Sequence, residues 1–439
     1  MSATKHHASQ GSVATTSNNV YQTASDIIVK LDEKAGTIKS LVYKTAESVD
    51  KKRLYGLICE TLKYREALTH VIEQAALLKQ ERKMSRELAL VLSHDLLIGN
   101  GVSGRFKAIM AKHKSRMQSE FIKLKVRRKA KLNSDLIPER MKVADLIPRY
   151  VRVNTLKTTL KAVLDSLSKT YGLVLASETH LATNKKKLMT IDPHIPNLLV
   201  LPHGTDLHLD EMVIQGNMIL QDKASCFPAF LLNPKPGSIV IDACAAPGNK
   251  TSHLSMLMQN KGTIHAFDMD PRRLKLLKNR MTQAGCSNVM THLGSFLEAT
   301  PASLGHVDCI LLDPSCSGSG MLNPLESSED DETEEMTATT ADRLQSLSTF
   351  QLSLLNHALS FETVKRVAYS TCSIHQQENE DVVRKALQQN GKKWRLQEEV
   401  LSTWKRRGLP VFDGAEKVIR VSSAEDLACG FFVAVFERI

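Results

Sequence analysis

The spacing of apolar side chains divides the chain into regions of different character. Between residues 20 and 97 apolar side chains recur every three or four positions, as at Leu54, Leu57, Ile58 and Leu62, with charged residues between them. This period is that of an amphipathic helix buried along one face. The pattern therefore predicts several helices that pack together as an accessory domain.

Polar segments flank this helical region on both sides. Residues 1–19 are rich in Ser, Thr and His and are predicted to be a disordered lead. A basic stretch follows the helices and completes the accessory domain, which is predicted over 20–131. A solvated helix face and a phosphate-binding surface both fit such a run, in which Glu120 is the one acid. Its cations are Arg105, Lys107, Lys112, Lys114, Arg116, Lys123, Lys125, Arg127, Arg128, Lys129 and Lys131.

Short apolar runs typical of β-strands begin after Pro148. They cover Tyr150–Val153, Leu198–Leu201 and Met212–Leu220, and they predict a small α+β subdomain over 132–233.

From residue 234 to 439 the predicted strands and helices alternate. Alternation of this kind indicates a parallel sheet covered by helices on both faces, so the fold class is α/β with a Rossmann-like domain. An acidic run at 327–335 is predicted to be a disordered loop insert.

Composition narrows the partners of this 439-residue chain. No apolar run is long enough to span a membrane, and residues 1–13 lack the apolar core of a secretory signal, so we expect neither a membrane partner nor secretion. The formal net charge of +11 favours a polyanionic partner.

A turn of small residues follows the first strand of the predicted α/β domain. Strand 239–243 leads into Cys244-Ala-Ala-Pro-Gly-Asn-Lys250, and a helical pattern comes next. Small side chains let the backbone approach a ligand at the carboxyl end of the strand. The turn matches neither the dinucleotide fingerprint nor the phosphate-binding loop, because the required glycines are missing.

An acid ends the second strand of this domain. Strand 262–267 is followed by Asp268, which is placed to accept both hydroxyls of a ribose. Asp270 precedes a proline at the start of a predicted helix and is expected to cap it.

Two of the eight cysteines occupy comparable places. Cys316 and Cys372 each follow a buried strand of the same predicted sheet, where α/β proteins collect ligands. None of the eight forms a C-x-x-C pair, so no metal site is predicted.

A thiol at the end of a strand can act as a nucleophile, and C5 methylation of cytosine is one reaction that needs a thiolate. C5 of cytosine becomes nucleophilic enough to accept a methyl group only after a thiolate adds to C6. Lys250 could favour the thiolate, and Asp313 could hydrogen-bond the cytosine edge.

The motifs resemble those of the Sun-domain RNA cytosine-5 methyltransferases, from about residue 148 to the end of the chain. They occur in that family's order and are QDKAS (221–225), DACAAPGNKT (242–251), AFDMDPRR (266–273), DPSCSGSG (313–320), YSTCS (369–373), ENEDVV (378–383) and GFFVAVFER (430–438). PRYVRVNTLK, at 148–157, is similar to the small RNA-binding subdomain of the family.

The resemblance implies S-adenosylmethionine as cofactor, Cys372 as nucleophile and Cys316 as the thiol that assists product release. Lys250 and Asp313 belong to the implied catalytic set. The implied cofactor contacts are Cys244, Ala245, Ala246, Pro247, Gly248, Asn249, Lys250, Asp268, Arg273, Ser295 and Asp313.

Within the family, the form that these motifs take in this chain is most similar to that of the fifth Sun-domain paralogue. That subgroup methylates large-subunit ribosomal RNA in the nucleolus, within the nucleus, during ribosome biogenesis. RNA is the implied partner; the sequence leaves the oligomeric state open, and a monomer is our expectation.

Three positions depart from the family pattern. Ser315 replaces the usual proline before the release cysteine, Asn249 replaces a glycine, and Ser295 replaces a cofactor-binding carboxylate. The Ser295 departure supports an alternative, a catalytically inert RNA-binding factor in ribosome assembly. A DNA cytosine methyltransferase fits less well because Ser315 breaks its Pro-Cys motif, and an NAD-dependent oxidoreductase lacks its glycine fingerprint.

Overall fold

The computed structural model describes residues 13–33, 35–46, 49–176, 187–321 and 338–439. The chain forms two compact units, one over residues 1–144 and one over 145–439 without residues 323–334. None of the described helices is long and apolar enough to cross a membrane.

The first unit is helical, as the apolar period predicts. Tyr21, Leu54 and Leu68 lie fully buried in its core, and Asp50 and Ser85 cap two of its helices through side-chain oxygens. Helix α1 begins at Val13, and residues 1–12 of the predicted lead lie outside the described residues. The helices are α1 (Val13–Asp32), α2 (Ile38–Tyr43), α3 (Lys51–Lys63), α4 (Arg65–Gln74), α5 (Leu77–Gln80), α6 (Arg86–Leu97), α7 (Lys107–Arg127) and α8 (Glu139–Ala144).

The second unit begins with a five-stranded sheet in the order β2-β3-β4-β1-β5. Its elements are β1 (Arg149–Val153), α9 (Leu160–Tyr171), β2 (Val174–Leu175), β3 (Leu188–Ile191), β4 (Leu198–Leu201), α10 (Glu211–Ile214) and β5 (Met218–Leu220). The strand predicted over Met212–Leu220 is wrong in its first half. Asp210 accepts a hydrogen bond from the backbone N–H of Met212 and so starts α10, and the chain re-enters the sheet only at Met218.

The larger sheet has the order β11-β13-β10-β9-β6-β7-β8, and β12 pairs with β13. Strands β6 to β10 run parallel, whereas β13 lies antiparallel to β10. The elements are α11 (Lys223–Leu232), β6 (Ile239–Asp242), α12 (Asn249–Leu257), β7 (Thr263–Asp268), α13 (Pro271–Ala284), β8 (Val289–Leu293), α14 (Pro301–Leu304), β9 (Cys309–Leu312), α15 (Ala338–Ser360), β10 (Arg366–Thr371), α16 (Glu380–Asn390), β11 (Trp394–Leu396), β12 (Ile419–Val421), α17 (Ser423–Asp426) and β13 (Phe431–Arg438).

This strand order positions the site. The chain leaves β6 towards β7 on one side and later returns to β9 on the other, so the order reverses at β6. In open α/β sheets, ligands bind at such a reversal, outside the carboxyl ends of the strands. The acidic run at 327–335 lies outside the described residues.

Candidate active site

A cavity of about 610 Å³ opens at the carboxyl ends of β6, β7, β9 and β10. Its lining brings together residues from the small-residue turn, the acid after β7 and the two cysteine motifs that sequence analysis singled out. Those residues are Cys244, Ala246, Pro247, Lys250, Asp268, Arg273, Ser295, Asp313, Cys316 and Cys372. Ala245, Gly248 and Asn249, also predicted as cofactor contacts, do not line it.

The small-residue turn after β6 has a defined role for its glycine. Gly248 has φ +106°, and a Cβ there would lie 2.8 Å from Leu277 and Met281 of α13. Asn249, which replaces a glycine of the family pattern, is the first residue of α12, and its side chain accepts a hydrogen bond from Arg280 at 3.3 Å. The turn is thus compact because Gly248 lets α13 approach it.

Asp268 faces the turn from the end of β7. Its carboxylate accepts hydrogen bonds from the backbone N–H of Ala246 at 3.2 Å and of Asp270 at 3.0 Å. Arg273 donates to the carbonyl of Ala246 at 2.6 Å and lies 3.7 Å from Asp268. Asp270 caps α13 as predicted, by accepting from the N–H groups of Arg272 and Arg273.

An ion pair lies between the turn and the strand β9. Lys250 Nζ is 2.7 Å from Asp313 Oδ2, and the hydroxyl of Ser370 donates to Asp313 Oδ1 at 2.6 Å. Burial lowers the pKa of Lys250, but the charge of Asp313 and its hydrogen bond, together with the charges of Cys372 and Asp242, outweigh burial and hold that pKa above its ordinary value. Lys250 therefore remains a cation inside the cavity.

The two cysteines meet beside this ion pair. Cys316 Sγ and Cys372 Sγ are 3.1 Å apart, within hydrogen-bond distance for a thiol and a thiolate, and both thiols are free. The hydrogen bond from Cys316 lowers the pKa of Cys372, and the charge of Lys250 acts in the same direction against burial and Asp313. The same hydrogen bond, with burial, raises the pKa of Cys316. Of the two thiols, Cys372 is therefore the one that ionises more readily.

Glu378 fixes the loop that carries Cys316, although sequence analysis assigned it no role. Its fully buried carboxylate accepts from Ser317 N at 2.9 Å, from Ser317 Oγ at 2.6 Å and from Gln351 Nε2 at 3.0 Å. Gln351 Nε2 also donates to the carbonyl of Ser315 at 3.0 Å. Both neighbours of Cys316 in the chain are therefore held from one side.

A close backbone crossing joins the two cysteine loops. The N–H of Gly320 donates to the carbonyl of Cys372 at 2.9 Å, and the N–H of Gly430 donates to the carbonyl of Gly320 at 2.8 Å. A Cβ at Gly320 would lie 2.1 Å from the carbonyl oxygen of Gly430. Asn379 holds the chain just after Cys372 by donating a hydrogen bond to the carbonyl of Ser373 at 2.9 Å.

The polar residues at the start of the ENEDVV motif are the part of the sequence that could have indicated these contacts. Glu378, Asn379 and Glu380 are all fully buried, and three polar residues in a row before an apolar helix are unusual unless each is bonded. Glu380 pairs with Arg420 through two contacts of 2.6 Å, and Arg420 also donates to the carbonyl of Ile374 at 2.9 Å.

Arg152 shows that part of the predicted RNA-binding motif is structural. Its guanidinium is fully buried and donates to Gln221 Oε1 at 2.7 Å, Ser252 Oγ at 2.7 Å and the carbonyl of Asn249 at 3.2 Å. Burial lowers its pKa to about 10. Arg152 thus fastens β1 to the start of α12 and does not face a ligand.

Ser295 lines the cavity but is already engaged. Its hydroxyl accepts from the backbone N–H of Leu297 at 3.2 Å. Among the described residues, no group of three His, Cys, Asp or Glu side chains is arranged to hold a metal ion.

Fold and site together define a Rossmann-like methyltransferase domain that carries two adjacent thiols. Family profiles agree with each part of the chain. The profile for 16S rRNA methyltransferase RsmB/F matches residues 229–437, and those for the N-terminal and ferredoxin-like domains of NOL1/NOP2/Sun domain family member 5 match residues 52–137 and 147–221.

Relatives span almost the whole chain. A 28S rRNA (cytosine-C(5))-methyltransferase of Mus musculus is 44% identical and covers 95% of this chain and 91% of its own length. A 25S rRNA (cytosine-C(5))-methyltransferase of Schizosaccharomyces pombe is 38% identical and covers 94% and 90%. The chain therefore belongs to the NOL1/NOP2/Sun domain methyltransferase family, in the branch of member 5.

Solved structures share the fold. A methyltransferase homologue from Pyrococcus horikoshii is 24% identical, with a TM-score of 0.55, and covers 83% of this chain and 99% of its own. NSun6 from Pyrococcus horikoshii, solved with SFG, is 22% identical, with a TM-score of 0.51, and covers 72% and 97%.

Proposed function

We propose that the protein methylates C5 of a cytosine in large-subunit ribosomal RNA, with S-adenosylmethionine as methyl donor and a covalent bond from Cys372 to C6 as intermediate. The observation that carries this proposal is the thiol pair, 3.1 Å apart beside the cation of Lys250 in one cavity. Relatives named as rRNA (cytosine-C(5))-methyltransferases support the choice of RNA.

The cavity suits the cofactor by its donor set. At about 610 Å³ it has the size of a small-molecule site. Each oxygen of Asp268 accepts one backbone bond, so each keeps a lone pair for a ribose hydroxyl. Met269 and Phe296 offer apolar surface for a base. When bound, S-adenosylmethionine supplies an electrophilic methyl group.

Cys372 begins the reaction. Its lowered pKa provides thiolate, which forms the S–C6 bond while the C5–C6 electrons move to make C5 nucleophilic. Asp313, oriented by Lys250 and Ser370, is placed to accept a hydrogen bond from the exocyclic amino group of the cytosine and so to orient the base for the attack.

Cys316 ends the reaction. The main cause of its raised pKa is the bond to Cys372, and that bond is lost once Cys372 is joined to C6. Cys316 then releases its proton to solvent more readily and accepts the C5 proton. The electrons of the C5–H bond restore the C5–C6 double bond, and Cys372 leaves as thiolate.

We also propose that the protein acts as a monomer in the nucleolus, where large-subunit rRNA is assembled. Fluorescence microscopy of the tagged chain tests the location. Sedimentation analysis tests the oligomeric state.

The activity is tested with deproteinised rRNA from cells that lack the protein and with cofactor labelled in its methyl group. We expect wild type and Cys286→Ser, which alters a thiol outside the cavity, to label large-subunit rRNA. Cys372→Ser should not label it, and bisulfite sequencing should find one new 5-methylcytosine. A wild-type protein that binds rRNA but transfers no methyl group would be the inert assembly factor, and the proposal would fail.

A further inference from the structure

Helix α7 carries a row of cations along one edge. Lys112, Arg116, Lys123 and Arg127 are spaced by four, seven and four residues, so they lie on one side of the helix over about 22 Å. All four are exposed. We call these four residues the α7 stripe.

The buried face of α7 fixes the direction of the stripe. Met110, His113, Met117, Phe121 and Leu124 are buried, and four of them belong to the core of the helical unit. The cations therefore cannot turn inward without unpacking that core. Their exposure is a property of the fold.

The helix itself does not explain the stripe. Cations stabilise a helix near its carboxyl end, through the macrodipole. Of the four, only Arg127 lies in the last turn. Lys123 has an ion pair with Glu120 at 2.8 Å, but in the described part of the chain neither Lys112 nor Arg116 has an ion-pair partner.

Apolar side chains border the stripe on the solvent side. Ile122 is 60% exposed and Val126 is 73% exposed, one turn apart, and small residues such as Ser115 and Ser119 continue the same face. A surface that served only solubility would carry polar side chains at positions 122 and 126, as it does at 115 and 119. Cations beside apolar atoms match the alternating phosphates and sugars of RNA.

We propose that the α7 stripe binds the phosphate backbone of the ribosomal RNA substrate. The proposal rests on the proposed function for its choice of RNA, and it adds a contact surface remote in sequence from the cysteines. The stripe positions the RNA without reading its bases, because phosphate contacts carry no sequence information.

The test uses the full chain with Lys112, Arg116, Lys123 and Arg127 each changed to Gln, which keeps helix propensity. The matched control changes four other exposed cations of the same unit, Lys52, Arg53, Arg82 and Lys83, to Gln. The probe is deproteinised large-subunit rRNA from cells that lack the protein, titrated between about 50 and 200 mM salt.

We expect the stripe variant to bind roughly a hundredfold more weakly, with a salt slope lower by about three to four, whereas the control keeps the wild-type slope. The KM of the stripe variant for rRNA should rise, while its kcat at saturating rRNA stays near the wild-type value. Unchanged affinity, or an equal loss in the control, overturns the proposal. If the wild-type protein itself transferred no methyl group, the proposed methyl transfer would be rejected and the stripe proposal would not be the cause. The two failures are therefore distinguishable.

Discussion

The sulfur atoms of Cys316 and Cys372 lie 3.1 Å apart, just beyond the ends of the neighbouring parallel strands β9 and β10. At this distance one sulfur donates a hydrogen bond to the other, so the two thiols cannot behave alike. The hydrogen bond from Cys316 and the charge of Lys250 lower the pKa of Cys372, whereas the same hydrogen bond and burial raise the pKa of Cys316. This asymmetry supports the roles that we propose for the two cysteines.

Lys250 should control the pH dependence of the attack. Because it helps to lower the pKa of Cys372, Lys250→Met should raise that pKa and move the acidic limb of the rate profile to higher pH. The single-turnover rate near neutral pH should fall at least tenfold, on the order of the contribution of one charged group. Lys250→Arg keeps the charge and is the control. Identical profiles for the Met variant and wild type would refute this role.

Glu378 should affect the release of the methylated RNA and not the attack of Cys372 on the cytosine. Glu378→Ala frees the Cys316 loop, since Ser317 loses both of its bonds to the carboxylate. We expect the ratio of covalent RNA adduct to released product to rise, measured on denaturing gels below the unfolding temperature. Glu380→Ala removes an equally buried glutamate that pairs with Arg420, so it should lower stability without changing that ratio. An equal change in both variants would mean that Glu378 is only structural.

Gly320 should tolerate no side chain. Gly320→Ala places a Cβ against the carbonyl oxygen of Gly430 and should cost about 3 kcal/mol of unfolding free energy. Methyl transfer should fall with it, since the crossing joins both cysteine loops. Gly56→Ala, in the middle of α3 with open space around it, should instead stabilise the protein by about 0.5–1 kcal/mol. Urea unfolding of both variants gives the comparison, and a neutral Gly320→Ala would contradict the structure.

Asp242 should give the protein a distinctive pH dependence of stability. Burial raises its pKa from 3.8 to about 7, while Thr251 bonds one oxygen at 2.7 Å. Its contribution is fully present below the unfolded pKa and is lost as pH rises through the folded pKa. The loss is on the order of 4 kcal/mol between about pH 4 and 7. Asp242→Asn should abolish it in urea unfolding across that range. The same pH dependence in both proteins would show that Asp242 is ionised when folded.

The sequence predicts those parts of the site that follow directly from strand ends. Cys316, Cys372 and Asp268 each come just after a buried strand, so their meeting at one edge follows from the parallel sheet. The helices of the first unit could be predicted equally well, because the period of their apolar residues is regular.

Contacts between distant loops could not be predicted in this way. Glu378 meets Ser317 across 61 residues of sequence, and the ENEDVV motif indicates bonded polar residues without indicating which loop they contact. The strand predicted over Met212–Leu220 was wrong for a related reason. Its apolar residues suit a strand or a short helix equally, and the cap at Asp210 decided for the helix.

The division of labour between the two cysteines is tested most directly by trapping the protein on RNA. Cys316→Ala should attack and methylate but release slowly, so a covalent complex with deproteinised rRNA should accumulate and survive denaturation. Cys372→Ala and the double variant should form none. A Cys316→Ala protein that gives no complex, together with a Cys372→Ala protein that keeps full methyl transfer, would contradict the assignment.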